Sequence, residues 1–75
     1  MRYFAGAAEA AGTESEQLLA RTVGELRALM VAAHGDQLAH VLGRCSILVD
    51  GVRSDDGALI GPSDGVDVLP PFAGG

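Results

Sequence analysis

The sequence ends in Leu69-Pro70-Pro71-Phe72-Ala73-Gly74-Gly75, and the group there with distinctive chemistry is the α-carboxylate of Gly75. Glycine has no Cβ, so Gly74-Gly75 can thread a narrow channel and let a nucleotide or another backbone approach closely. Proline fixes φ and lacks an N–H, so Pro70-Pro71 ends a strand and cannot join a ladder. It also keeps Leu69 and Pro70 extended, so the tail is expected to leave the domain stiffly. The segment from Pro70 to Gly75 can reach at most roughly 20 Å, far enough to pass from a domain surface into a partner's active site. A carboxylate is a poor acylating group. It becomes reactive once ATP converts it to an acyl-adenylate, which a sulfur or amine nucleophile can attack.

Elsewhere the sequence carries little that could do chemistry. It has no Gly-rich phosphate loop and no nucleophile–base–acid set. Cys45 lies in an apolar, β-rich run and reads as a buried strand residue rather than a reactive thiol. His34 and His40 have no cysteine or carboxylate at ligand spacing, so they read as exposed or capping residues and not as a metal site. Asp55-Asp56 fails the EF-hand pattern and reads as a solvated loop. The expectation is a protein that is acted upon, with no catalytic residues of its own and no bound cofactor.

The 75 residues make one domain, divided as 1–69 for a folded body and 70–75 for an extended tail. Hydrophobic residues are 48% and aromatics 4%, so the core must be aliphatic. The net charge of −5 argues against nucleic acid and anionic membranes as partners and favours basic proteins. All five cationic residues are arginines. A single cysteine excludes an internal disulfide. No apolar run approaches the ~20 residues that span a bilayer, and no signal pattern opens the chain, so the expected location is the cytoplasm.

The elements that must carry the tail can be read in order. Met1–Ala5 reads as a strand with Met1, Tyr3 and Ala5 on one face and Arg2 and Phe4 on the other; either face could be core. Gly6–Gly12 shows no cap and no amphipathic stripe and reads as a loop with one helical turn at most. Glu14–Ala20 reads as a second strand. Thr22-Val23-Gly24-Glu25 is a capping box that opens a helix whose inward stripe is Val23, Leu26, Met30 and Ala33, widened by Leu29. Gly35 stops that helix, and Asp36 starts a shorter turn with Leu38, Val41 and Leu42 inward. Cys45–Val49 is a strand, Asp50-Gly51 a hairpin turn, Val52 the start of a fourth strand and Val66–Leu69 the last. Gly61-Pro62-Ser63-Asp64-Gly65 is dense turn chemistry. The order β-β-α-β-β-β predicts an α+β fold, a β-grasp or ubiquitin-like mixed sheet of about five strands with one main helix on one face.

The ending Val66-Asp67-Val68-Leu69-Pro70-Pro71-Phe72-Ala73-Gly74-Gly75 resembles that of the MoaD family, the small sulfur-carrier subunit of molybdopterin synthase within the ubiquitin-like MoaD/ThiS superfamily. So do the opening Arg2-Tyr3-Phe4-Ala5 and the segment Thr22-Val23-Gly24-Glu25-Leu26. Phe72 departs from the family, which usually has a smaller β-branched residue there, and Asp50-Gly51 replaces a more usual Asn-containing turn. The resemblance implies that the first and last strands lie side by side in parallel. It implies that a MoeB-type, E1-like adenylyltransferase consumes ATP to adenylate Gly75, and that a persulfide displaces AMP to leave a thiocarboxylate. It further implies that a MoaE-type large subunit, in a heterotetramer, takes the tail into its active site and passes the sulfur to cyclic pyranopterin monophosphate. Phe4 and Leu69 would then lie on the sheet's outer face under a partner, with Pro70, Pro71, Phe72 and Ala73 setting the trajectory and Gly74 threading. The alternatives are the same chemistry for thiamine, cysteine or tRNA thiolation, a ubiquitin-like modifier joined through Gly75 to lysines, and a plain interaction module with an incidental Gly-Gly.

Overall fold

The computed structural model describes residues 1–70. Its elements are β1 (Arg2–Tyr3), α1 (Gly6–Ala11), α2 (Val23–His34), α3 (Asp36–Leu42), β2 (Ser46–Val49), β3 (Val52–Ser54) and β4 (Val66–Leu69). The strands form one mixed sheet in the order β1-β4-β2-β3. β4 runs parallel to β1, and β2 runs antiparallel to both β4 and β3. This is the β-grasp arrangement, with the first and last strands side by side in parallel.

α2 begins where the capping residues predict. Thr22 is extended and its hydroxyl accepts from the Glu25 N–H at 3.1 Å, satisfying one of the four amides that a helix N-terminus leaves free. Gly35, at φ 82°, ends α2, and its N–H returns to the Val31 carbonyl at 2.7 Å. Val23, Leu26 and Met30 are buried, whereas Ala33, expected to extend that stripe, is exposed. α3 follows at once and buries Leu38 and Leu42. The core joins these side chains to Tyr3, Ile47, Val66 and Val68 from one face of the sheet, and it is aliphatic apart from Tyr3.

Two expectations are corrected. Gly6–Gly12, expected as a loop, holds the helix Gly6–Ala11, with Gly12 as its left-handed C-cap at φ 74°. Its inward stripe consists of Ala7 and Ala11, i and i+4, which bury against the core at 0% and 9% exposure. Two methyl-sized residues allow α1 to pack closely on α3, and such a stripe is invisible to a search for large apolar residues. Glu14–Ala20 is not a strand, so the sheet has four strands and not five. β1 is only two residues long, and its free edge is used up by a single bridge, Arg2 with Ser15, and by the flanking bonds Tyr3 N–H to Glu14 C=O and Glu16 N–H to Met1 C=O. Beyond Glu16 no strand among the described residues pairs with the segment.

The hairpin between β2 and β3 turns at Asp50-Gly51, with φ of 50° and 81°. Both central residues at positive φ make the primed turn that suits the twist of a two-residue hairpin. Asp50 is fixed by exchange with the next turn. Its N–H donates to the Gly65 carbonyl and its Oδ1 accepts from the Gly65 N–H, each at 2.7 Å. Those bonds hold the turn 61–65 that feeds β4.

Candidate functional site

β4 sits inside the sheet, between β1 and β2, and it is the strand that leads to the C-terminal residues. Val66 and Val68 point into the core at 5% and 0% exposure, while Asp67 and Leu69 face outwards and are half-buried. Registration does the placing. Arg2 lies opposite Asp67 and Tyr3 opposite Val68, so Phe4 falls beside Leu69, and the Phe4 N–H donates to the Val68 carbonyl at 3.0 Å. On the other side Ser46 pairs with Leu69. Of the residues singled out in the sequence, Phe4 and Leu69 are brought together on the face of the sheet that carries no helix, at the end where β4 stops. Pro70 follows and is half-buried. Pro71, Phe72, Ala73, Gly74 and Gly75 lie outside the described residues.

Arg2 was missed by sequence reasoning, and it organises this face. Its guanidinium bonds both carboxylate oxygens of Asp67, Nε to Oδ1 at 3.0 Å and Nη2 to Oδ2 at 3.3 Å. The same group stands 5.3 Å from the centre of the Phe4 ring, within cation–π range. Arg2 and Phe4 are two apart on one strand face, and the parallel pairing puts Asp67 across from Arg2. Those facts were available from the pattern once the pairing of first and last strands was assumed. The result is an apolar patch of Phe4 and Leu69 beside a charge pair that is open to water, with the Arg2 side chain 66% exposed. An exposed pair of this kind adds little to stability. Its geometric effect is to hold the Phe4 ring and the guanidinium in a fixed relation.

The opposite side of β1 is closed by a polar cluster that sequence reasoning also missed. The Tyr3 hydroxyl donates to Glu16 Oε2 at 2.6 Å, and the His34 Nε2 meets the same oxygen. The Tyr3 and His34 rings meet edge to face with centroids 6.0 Å apart. His34 is therefore a half-buried cross-link between the end of α2 and the segment after α1, and not an exposed or purely capping residue. Burial pushes the Tyr3 phenol well above its ordinary range, and the Glu16 carboxylate pushes it further. Burial alone would raise the Glu16 carboxyl, but the hydrogen bonds from Tyr3 and His34 and the charge of His34 outweigh it and hold it below its usual value. A depressed carboxyl contributes stability above its unfolded pKa and loses it as the pH falls through the folded one. The signal for this cluster is tertiary: residues 3, 16 and 34 share no spacing.

Cys45 is buried, as expected. Its thiol donates to the Val41 carbonyl at 3.3 Å, and burial raises its pKa against a smaller opposing pull from Arg27. A thiol held neutral and inside is a poor nucleophile. His40 is exposed. Among the described residues no helix is long and apolar enough to cross a membrane.

Comparison with known proteins agrees with this architecture. A sequence profile of the ThiS family matches residues 1–75. The crystal structure of SAMP1 from Haloferax volcanii superposes with a TM-score of 0.76 at 27% identity, over 99% of this chain and 94% of that one. A second crystal structure, of the H. volcanii small archaeal modifier protein 1, gives a TM-score of 0.74 at 26% identity, over 95% of this chain and 93% of that one. Among curated protein sequences none matches this chain.

Proposed function

Because the chain belongs to the ThiS family, we propose that it is a ubiquitin-like sulfur carrier that bears its cargo on the Gly75 carboxylate, and that it serves as the small subunit of molybdopterin synthase. The observation that carries this reading is the junction of β4 with the tail. A central strand, fixed on both sides by register, leads through Leu69 and Pro70 into Pro71-Phe72-Ala73-Gly74-Gly75, next to an outward-facing patch of Phe4 and Leu69. An enzyme that docks on the patch can aim the carboxylate at its own active site, because proline keeps the connection short of conformers.

The chemistry proceeds in balanced steps. A Gly75 carboxylate oxygen attacks the α-phosphorus of ATP on an E1-like adenylating partner, and pyrophosphate leaves. The terminal sulfur of a persulfide attacks the acyl carbon, and AMP leaves. A second thiol then cleaves the acyl disulfide, forming a disulfide of its own and freeing the thiocarboxylate. The large synthase subunit would take that tail and transfer its sulfur to cyclic pyranopterin monophosphate, with water supplying the oxygen that returns Gly75 to a carboxylate. Gly74 would permit threading, and Pro70, Pro71, Phe72 and Ala73 would set the path.

The likeness to a small archaeal modifier protein favours a second reading, conjugation of Gly75 to lysines of other proteins. Both readings need Gly75, and they part at the product. Removal of Gly74-Gly75 is expected to abolish sulfur transfer in a system reconstituted with the adenylating enzyme and the large subunit, and to leave the melting temperature unchanged. Sulfur transfer at the full rate without those residues would sink the carrier reading. Covalent adducts to lysine with no sulfur transfer would establish the modifier.

A further inference from the structure

We infer that Arg2 and Asp67 are positioning residues for docking: together they hold the Phe4 ring in the orientation that the adenylating partner meets. The inference rests on the reading of Phe4 and Leu69 as a docking patch. Phe4 has a fixed backbone. Its N–H donates to the Val68 carbonyl at 3.0 Å, and its carbonyl accepts from the Ala7 N–H at 3.1 Å. Its ring is not fixed by the core. Among the described residues it belongs neither to the core nor to the half-buried side chains packed on it. Beside the ring opens a hollow of about 320 Å³, lined also by Arg2, Tyr3, Ala5, Ala8 and Glu14. The ring therefore has room to turn, and ordering a side chain at the moment of binding lowers affinity.

Arg2 is placed to order the ring beforehand. Its guanidinium carbon stands 5.3 Å from the ring centre, where the aromatic face attracts a cation. A free arginine would do this poorly, because its own long side chain has much rotamer freedom to lose. Here that side chain is already held. Nε and Nη2 bond the two carboxylate oxygens of Asp67 at 3.0 and 3.3 Å. Asp67 is in turn carried by β4, directly across from Arg2 and between the buried Val66 and Val68. Order thus passes from a central strand to a carboxylate, from there to the guanidinium, and from the guanidinium to the ring.

The shape of arginine matters here as much as its charge. A planar fork can bond both carboxylate oxygens and still present its face to a ring. A lysine ammonium is a compact point that can pair with Asp67 or sit over Phe4, but not both in the same geometry. The pair is neutral as a unit and open to water, so it adds little to the stability of the fold. Its effect belongs to docking rather than to unfolding, depends on Phe4, and is not reproduced by lysine.

The test uses the full chain in two measurements. In the free protein, 13C relaxation reports the order of the Phe4 side chain, and Arg2→Lys and Asp67→Asn are each expected to lower it while the urea midpoint stays unchanged. With the E1-like adenylating enzyme, ATP–pyrophosphate exchange gives kcat and the KM for this chain. Arg2→Lys is expected to raise KM by on the order of fivefold, the effect of one side chain left to be ordered on binding. It is expected to leave kcat unchanged, because Gly75 reaches the same place once the patch is seated. In a Phe4→Ala background the same substitution is expected to add nothing. The inference is overturned if the ring is equally ordered in all three proteins, or if Arg2→Lys keeps the wild-type KM while Phe4→Ala raises it. It is also overturned if Arg2→Lys has the same effect with Phe4 and without it, which would mean that Arg2 touches the partner directly. Wild-type KM in Phe4→Ala would remove the docking patch itself, and this inference with it.

Discussion

The two faces of β1 and β4 are built from alternating residues of the same short segments and do different things. On one face Tyr3, Val66 and Val68 are at most 5% exposed and belong to the core. On the other, Arg2, Phe4, Asp67 and Leu69 are exposed or half-buried, with no helix over them. Period-two alternation separates them cleanly, so a single strand can hold the fold together and present a surface without compromise between the two. In a domain this small the separation is useful. There is little core to spare, and a face used for docking has to be one whose side chains the fold does not need.

The sharpest way to break that separation is from the core side. Ile47 is 1% exposed and pairs with Val68 on the inner face, while its neighbour Leu48 faces outwards and is half-buried. Ile47→Ala is expected to cost about 3 kcal/mol, enough to threaten a small domain outright, whereas Leu48→Ala should cost well under half of that. Urea unfolding of both variants checks it. Equal losses would mean that the outer face is structural too.

From the outer side, Phe4→Ala should weaken binding to the adenylating enzyme by on the order of 2–3 kcal/mol, as removal of a central aromatic anchor does. It should leave the unfolding midpoint of the isolated domain nearly unchanged, since the ring is half-buried and rests on Arg2 rather than in the core. Calorimetric titration together with a urea melt separates the two quantities. Wild-type affinity in this variant would remove Phe4 from the docking patch.

The smallest expected effect lies at the corner where β1 turns into α1. Ala5 adopts φ 48° and ψ −123°, a region that suits glycine, in a tight turn closed by the Ala7 N–H to the Phe4 carbonyl at 3.1 Å. Ala5→Gly relieves the strain and adds some freedom to the unfolded chain, for a net gain of about 1 kcal/mol. A higher unfolding midpoint is the expected result. A lower one would show that the methyl group contributes packing that outweighs the strain.

The parts of this fold that were legible in the sequence are those whose signals are local and use large or special residues. Thr22 and Glu25 marked the start of α2, Gly35 its end, and Asp50-Gly51 the hairpin. Val66 to Leu69 announced their own alternation. The resemblance carried the parallel pairing of first and last strands, and from it the outer position of Phe4 and Leu69. What failed depends on partners rather than on pattern. α1 buries alanines, whose apolar signal is weak. Glu14–Ala20 alternates in burial from Glu16 to Ala20 as a strand would, but β1 ran out before it could be paired. Tyr3, Glu16 and His34 meet only because α2 and the segment before it return to the same place, which no spacing in the sequence reveals. Arg2 lay between: its partner Asp67 follows from the pairing, and its role over Phe4 follows from their shared face.

The central claim is that sulfur is carried on Gly75 and not on Cys45. Intact-mass spectrometry tests it directly, after incubation of the wild-type chain and of Cys45→Ser with the adenylating enzyme, ATP and a persulfide donor. Both proteins are expected to gain the mass of sulfur in place of one oxygen, because Cys45 is buried with its thiol bonded to Val41 and takes no part. A gain of a whole added sulfur atom, present in the wild type and absent from Cys45→Ser, would place the cargo on the cysteine and contradict the account.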